Sequence, residues 1–386
     1  MSLTVGIIGL PLSGKTTLFN ALTRAGAQIS GYPTSTVQAN RAVVQVPDER
    51  LDKLAAIFHP RKIVPTTVEF VDVAGIGQAS EHERHEGLSA EFIGHIRSAD
   101  ALAVVLRCFD NPQAPHPAGS VNPVRDLDDL MAELAITDLA TVDKRIETTA
   151  RKAKSGDKKF NEELEFLKRL RDHLNEGRPA SELTFSAPED VILRELFLLT
   201  IKPRLYVANV SEDTLASAAA LLAGDGAAAP AGEGEMAQVA ALARRAAADG
   251  AELVAVSARL EAELEELAPE DAAEYLASLG LPALGADRVI QVGYRTLNLI
   301  SFLTAGEDEV RAWTVTRGSK APTAAGKIHT DFEKGFIRAE VISYDDLMGA
   351  GGSMKVAKEH GQVRLEGKDY TVRDGDIIEF RFNVTK

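Results

Sequence analysis

Cysteine is nearly absent from this chain: Cys108 is the one thiol in 386 residues. That excludes an intrachain disulfide framework and fits a reducing compartment, so a cytoplasmic location is expected. Long apolar runs are missing too. None approaches the roughly 18 residues of a membrane-spanning helix, so no membrane partner is expected. The N-terminal MSLTVGIIGLP has no basic stretch ahead of its apolar residues, which run straight into a glycine-containing motif. It reads as a first strand and not as a signal peptide. A basic excess is the third absence. The net charge of −14 argues against a general nucleic-acid binder. The acidity lies in residues 1–301, with 30 Lys+Arg against 43 Asp+Glu, whereas residues 302–386 hold 13 against 14. A near-neutral C-terminal module can still present a basic face. The length fits two or three domains.

The first positive signal is LTVGIIGLPLSGKTTLFNAL. Val5–Ile8 is a short apolar run, as in a buried parallel strand. Gly9-Leu-Pro-Leu-Ser-Gly14-Lys15-Thr16 matches G-x-x-x-x-G-K-[ST], and Leu18, Phe19, Ala21 and Leu22 continue at helical spacing. Strand, loop and helix in that order are the context of a phosphate-binding P-loop. Its backbone N–H groups, across Leu12, Ser13, Gly14, Lys15, Thr16 and Thr17, converge on phosphate oxygens at a helix N-terminus. Lys15 would neutralise the β- and γ-phosphates, and the Thr16 hydroxyl would bind Mg²⁺. Two further elements follow. Tyr32-Pro-Thr-Ser-Thr36 suits a loop in which Thr36 reaches Mg²⁺ and the γ-phosphate. Val68-Glu-Phe-Val71 reads as a strand ending at Asp72-Val-Ala-Gly75, with Asp72 toward Mg²⁺ and the Gly75 N–H toward the γ-phosphate.

Residues that are missing sharpen the reading. P-loop GTPases often follow Asp-x-x-Gly with a water-orienting Gln; here Ile76 stands there, and isoleucine forms no such hydrogen bond. Many GTPases read guanine with Asn-Lys-x-Asp after a strand. Here Pro203–Ala208 leads into Asn209-Val210-Ser211-Glu212: the lysine is replaced by Val210 and the aspartate by the longer Glu212. Displacing the carboxylate weakens guanine discrimination. Adenine offers an N6 donor and an N7 acceptor that Asn209 or nearby backbone groups can meet. ATP becomes plausible and GTP stays open, because Asp213 is another acidic candidate. Glu252–Val256 followed by Ser257-Ala258 is a strand and loop placed to back the base.

Together, Gly9–Thr17, Tyr32-Pro33…Thr36, Asp72–Gly75 before an apolar residue, and Asn209-x-x-Glu212 resemble the YchF / Obg-like ATPase family. The C-terminal FLTAGEDEVRAWTV, KAPTAAGKIHTDFEKGFIRAEVISYDDL and KEHGQVRLEGKDYTVRDGDIIEFRFNV are similar to its closing TGS-type domain. The resemblance spans essentially the whole chain. It implies an α/β fold: an OBG-type P-loop G domain with a mostly parallel sheet (1–125 and 200–300), an inserted antiparallel helical hairpin of coiled-coil type (126–199), and a C-terminal β-grasp domain (302–386). It also implies Mg²⁺-dependent ATP hydrolysis by a monomer at the ribosome, with the large subunit and ribosomal RNA as expected contacts. Family members carry a hydrophobic residue where the Gln would be, so Ile76 fits them. Water must then be oriented otherwise. His116, in Asn111-Pro-Gln-Ala-Pro-His116-Pro-Ala-Gly119, is the first candidate, ahead of His82 and His85, because an imidazole can accept a proton or orient water near neutral pH. The chain departs from the family where Leu12-Ser13 replaces Asn-Val, where Thr16 replaces Ser, and in Ser80–Ser89, which has far less glycine than that switch normally carries.

Two apolar stripes, Leu127, Met131, Leu134, Val142, Ile146 and Phe160, Leu164, Leu167, Leu170, Leu174, predict the hairpin, with its turn at Lys154–Lys158. Lys144, Arg145, Arg151, Lys152, Lys154, Lys158 and Lys159 cluster near its tip, either as a solvated face or as a contact to RNA phosphates. The Ala/Gly-rich 218–251 reads as a loop followed by a helix. In the tail, strands are expected at Arg311–Val315, Phe336–Ile342, Tyr370–Val372 and Asp376–Phe382. Lys320, Lys327, Lys334, Arg338, Lys355, Lys358, Arg364 and Lys368 are candidates for a basic face, and Phe332, Phe336 and Tyr344 for core packing or base stacking. A nucleotide switch is the leading hypothesis. A GTP-specific GTPase and an RNA- or protein-binding scaffold with a structural nucleotide site are the alternatives.

Overall fold

The computed structural model describes residues 3–24, 40–73, 89–154, 156–224 and 234–383. In chain order the strands are β1 (Thr4–Ile8), β2 (Asn40–Gln45), β3 (Lys62–Val64), β4 (Thr67–Asp72), β5 (Ala101–Arg107), β6 (Arg204–Asn209), β7 (Glu252–Val256), β8 (Leu299–Ala305), β9 (Glu309–Thr316), β10 (Phe336–Ser343), β11 (Arg364–Glu366) and β12 (Asp376–Phe382). The helices of the first half are α1 (Lys15–Arg24), α2 (Glu49–Phe58), α3 (Ala90–Ser98), α4 (Pro123–Ala153), α5 (Lys158–Asn175), α6 (Ala187–Leu196) and α7 (Glu212–Ala223). They are followed by α8 (Glu235–Ala248), α9 (Ala258–Leu264), α10 (Pro269–Ser278), α11 (Gly285–Thr296), α12 (Ala321–Ile328), α13 (Thr330–Lys334), α14 (Tyr344–Gly349) and α15 (Met354–Glu359). The chain forms two compact units, one of Leu3–Ala42 with Glu69–Val289, the other of Val43–Val68 with Ile290–Lys386.

The first unit is built on a sheet of order β2-β4-β1-β5-β6-β7. β1 pairs in parallel with β4 and β5, β5 with β6, and β6 with β7. A parallel strand covered on both faces needs an unbroken apolar run. TVGII and ALAVVLR supply it, and every residue of β1 and β5 is buried. Side chains alternate between the two faces. Ile8, Val71, Leu102, Val104, Leu106, Tyr206, Ala208 and Ala255 enter one core cluster with α3, α4, α7 and α8. Asp72, Arg107 and Asn209 therefore point to the opposite face. The register Ile7↔Asp72 and Arg107↔Asn209 gathers these polar residues at the carboxyl ends of the strands, beside the loop that follows β1.

The helical insertion starts at Pro123, in the first turn of α4, with Asn122 as its cap, accepting the Arg125 N–H. α4 and α5 pack on each other across the short connection near the expected turn. Val142 packs with Phe166, Leu167, Leu170 and Leu174. Phe166 thus does the work expected of Leu164, because α6 adds Leu193 and Leu196 and widens the buried stripe of α5. Phe160 instead lies under the Lys152 ammonium at 5.6 Å. Glu163 is buried in an ion pair with Arg145 (2.7 Å) and accepts from Thr149 (3.0 Å), so one cation of the tip cluster is committed internally. Asp138, 1% exposed, accepts the N–H groups of Leu199 and Thr200 at 2.8 Å each, tying α4 to the chain entering β6. The Ala/Gly-rich segment from 218 begins as the end of α7, and residues 225–233 lie outside the described ones.

The second unit is a sheet of order β11-β10-β12-β8-β9-β3, in which β12 and β8 run parallel while β8/β9 and β10/β12 are antiparallel. One face packs α12 through Phe302, Ala324, Val341 and Phe380; the other packs α2 through Leu54, Leu303, Val310 and Ile342. Phe336 and Phe332 belong to the first core and Tyr344 packs against the second, so these aromatics serve packing. Of the expected strands, Tyr370–Val372 is reduced to a single bridge, Lys320↔Thr371. β8 begins at Leu299, ahead of the expected domain start at 302. Residues 43–68, read from sequence as part of the nucleotide domain, pack in this unit, and β3 pairs with β9 through Lys62↔Glu309 and Val64↔Arg311. The sequence of this stretch does not show which sheet it joins.

Candidate nucleotide site

The loop between β1 and α1 has the close backbone approach a phosphate cradle needs. A Cβ on Gly9 would sit 2.4 Å from the Val105 carbonyl oxygen, and one on Gly14 would sit 2.2 Å from Asn209 Nδ2. Gly14 also has φ 92°, which a side chain would strain. Leu12 takes a left-handed φ of 62°, one of four such non-glycine residues among the described ones, and is 53% exposed.

Lys15 is 7% exposed, and its Nζ donates to the Leu10 carbonyl at 2.8 Å. Burial lowers its pKa to about 8, opposed by the nearby Asp72 carboxylate. Burial raises the Asp72 pKa, opposed by the Thr16 hydrogen bond and the Lys15 charge. The Thr16 hydroxyl donates to Asp72 Oδ2 at 3.1 Å, while Asp72 Oδ1 is buried without a partner among the described residues. Ser13 Oγ is likewise buried with no partner among the described residues. A cation held by hydroxyl and carboxylate oxygens together with phosphates and water would satisfy the free Asp72 oxygen, so the residues present fit Mg²⁺. Thr17 is exposed at the start of α1. Thr36, Gly75, Ile76, His82 and His85 lie outside the described residues.

Asn209 is a crosslink. Its Nδ2 donates to the Ser13 carbonyl (2.9 Å) and its Oδ1 accepts the Ala258 N–H (3.1 Å), joining the phosphate loop to the Ser257-Ala258 loop. One amide N–H and one lone pair remain for a ligand. Val210, expected at the nucleotide, is 2% exposed within the apolar core, because its strand position turns it to the opposite face from Asn209. Glu212 opens α7 and accepts from the Tyr275 hydroxyl on α10, a partner that sequence spacing could not reveal. Ser257 is buried as the residue capping α9.

His116 does not stand free. It is 7% exposed; Nδ1 accepts the Ala118 N–H at 3.1 Å, so Nε2 carries the proton and donates to Asp126 at 2.8 Å. Asp126 also receives Arg125 through Nη2 at 2.7 Å. Both ring nitrogens are used in this arrangement, so a water-orienting role requires one of them to be released. Sequence reading also passed over Arg107, the one charge at the end of an otherwise apolar strand.

Behind the base loop, Glu261 on α9 is 2% exposed and accepts the N–H groups of Gly285 (2.6 Å) and Ala286 (3.3 Å) at the start of α11. Burial raises its pKa to about 7, against those two hydrogen bonds. As pH rises above the ordinary value of 4.5, the unfolded chain ionises first, so stability falls up to about pH 7 by about 3 kcal/mol. Glu261→Gln is expected to flatten the urea-unfolding free energy between about pH 5 and 8. An unchanged slope in the variant would place that pH dependence on another group.

Comparison with known proteins agrees with this geometry. The family model described as "50S ribosome-binding GTPase" matches residues 4–152, and the model YchF-GTPase_C, described as a protein of unknown function (DUF933), matches residues 299–383. The "Ribosome-binding ATPase YchF" of Bacillus subtilis is 45% identical over 384 residues, and that of Escherichia coli O157:H7 is 44% identical, each match covering 100% of both chains. The solved structure of the Schizosaccharomyces pombe YchF GTPase superposes with a TM-score of 0.80 at 32% identity, covering 98% of each chain. Full-length similarity at this level, on a phosphate loop clamped by Asn209, makes this chain a member of the YchF family of P-loop nucleotide-binding proteins.

Proposed function

We propose that the protein is a Mg²⁺-dependent ATPase that works as a nucleotide switch on the ribosome, as a cytoplasmic monomer. The observation that carries the ATP reading is the state of Asn209: after its two internal hydrogen bonds it retains one donor and one acceptor, the pair that adenine N7 and N6–H require. The naming of full-length relatives as ribosome-binding ATPases supports the ribosomal role.

In the reaction, Lys15 would exchange the Leu10 carbonyl for the β- and γ-phosphates, and Thr16 would release Asp72 so that both serve the metal. Bound Mg²⁺ would neutralise charge on the phosphates. Thr36 and the Gly75 N–H would contact the γ-phosphate, and Ile76 would shield it from bulk water. His116 would orient the attacking water once Nδ1 gives up the Ala118 N–H, with Asp126 holding the ring from the other side. The exposed cations Lys144, Arg151, Lys152, Lys154, Lys158 and Lys159 of the hairpin tip, and Lys327, Lys334, Arg338, Lys355 and Lys368 of the C-terminal unit, would meet RNA phosphates of the large subunit.

GTP is the second reading, favoured by the description of the matching family model and of the fission-yeast protein as GTPases. Calorimetric titration of nucleotide-free protein with non-hydrolysable ATP and GTP analogues in Mg²⁺ separates the two. Tighter ATP binding is expected, by at least about tenfold. Tighter GTP binding would mean that Glu212 or Asp213 reads guanine, and the adenine assignment of Asn209 would fail.

A further inference from the structure

Arg107 ends β5 as the largest fully buried side chain among the described residues, 2% exposed. Its Nε donates to the Phe109 carbonyl at 3.0 Å, and the guanidinium lies 4.8 Å from the Phe109 ring. Both terminal nitrogens, Nη1 and Nη2, are buried without a hydrogen-bond partner among the described residues. An arginine kept for packing alone would not leave its charge in this condition. Burying an uncompensated cation is strongly unfavourable, and one cation–π contact offsets only part of it.

The position suggests what compensates it. Arg107 shares a sheet face with Asn209, its register partner on β6, and Asn209 holds the Ser13 carbonyl of the phosphate loop. Val105, one step earlier on that face, has its carbonyl against Gly9. The strand thus runs beneath the phosphate loop, and Arg107 is its next inward residue toward the ligand edge. Resting on the nucleotide-binding reading above, we propose that Arg107 is a second cation of the phosphate site: a buried positioning residue beneath the loop whose charge is compensated by the bound polyphosphate. Lys15 acts from the loop itself, whereas Arg107 acts through it, in surroundings where charge is weakly screened.

The test uses the full chain with Arg107→Met, and Arg107→Gln should the first variant misfold. Denaturant unfolding is measured without nucleotide, and calorimetry with ADP, inorganic tripolyphosphate and adenosine. Without nucleotide, Arg107→Met is expected to be as stable as the parent or more so, because it removes an unpaired buried charge. Its affinity for ADP and tripolyphosphate is expected to fall roughly 10- to 100-fold, while adenosine binding stays unchanged and Arg107→Lys recovers part of the loss. A variant that is less stable but binds ADP normally would make Arg107 a structural residue only. An equal loss for adenosine would mean that it serves the base, and would also overturn the proposal. Failure of the parent protein to bind ADP would remove the nucleotide reading and this inference with it. Normal parent binding with an unaffected variant removes the inference alone.

Discussion

Lys15→Ala is expected to abolish the stabilisation that nucleotide gives, while leaving the nucleotide-free protein no less stable than the parent. The two halves have one cause. In the free protein the ammonium is buried, with the Leu10 carbonyl as its hydrogen-bond acceptor among the described residues and Asp72 nearby, and its lowered pKa corresponds to a penalty of about 3 kcal/mol on the charged form near neutral pH. Truncation removes that penalty together with some stem packing of similar size. With nucleotide the sign reverses, because the phosphates are the charges for which the ammonium is held. The parent should gain about 2.7 kcal/mol at a nucleotide concentration 100 times Kd. Thermal unfolding with and without ADP and Mg²⁺ measures both effects. A full nucleotide-induced shift in the variant would remove Lys15, and with it the P-loop assignment, from phosphate binding.

His116→Ala is expected to lower kcat by at least about tenfold with little change in KM, and to reduce stability by about 1–3 kcal/mol. The stability loss follows from the geometry alone: Asp126, 3% exposed, loses the Nε2 donor and, among the described residues, keeps Arg125. The turnover loss follows only if the ring releases Ala118 and meets water. His116→Gln separates the two roles, since its amide can still donate to Asp126 but cannot take a proton. A glutamine variant that recovers stability and stays slow supports the water-orienting role. If turnover recovers along with stability, the imidazole is a buried tether and the hydrolytic residue must be sought elsewhere.

The parts legible in the sequence were those whose signal is local. Gly9–Thr16 announced its own strand, loop and helix, because the spacing of two glycines, a lysine and a hydroxyl encodes one backbone shape. The helical insertion was visible as two apolar stripes. Contacts between residues distant in the chain were not legible. Asn209 read as a base contact, and nothing in its neighbours said that Ser13 and Ala258 would occupy half of its amide. Val210 looked like a nucleotide residue because it stands where a lysine often does, yet strand alternation sends it into the core. Glu212 gave no hint of Tyr275, more than sixty residues later. Arg107 resembles the ordinary end of a strand, an arginine after six apolar residues, and only its burial, with Nη1 and Nη2 unbonded among the described residues, shows otherwise.

The pairing of β3 with β9 and the seating of α2 under β8 and β9 bear on how the chain is made. Residues 43–68 leave the synthesis machinery more than two hundred residues before the strands that receive them. At cellular elongation rates that interval is roughly 10–50 seconds. Through it, Leu51 and Leu54 lack their partners and β3 is a short strand with no sheet. Lys62 and the charges of α2, Glu49, Arg50, Asp52 and Lys53, suit such a segment, since they discourage premature association of its apolar face. A gene fragment that starts at residue 302 would lack this early-made piece as well as the opening of β8, and would be born with an uncovered sheet.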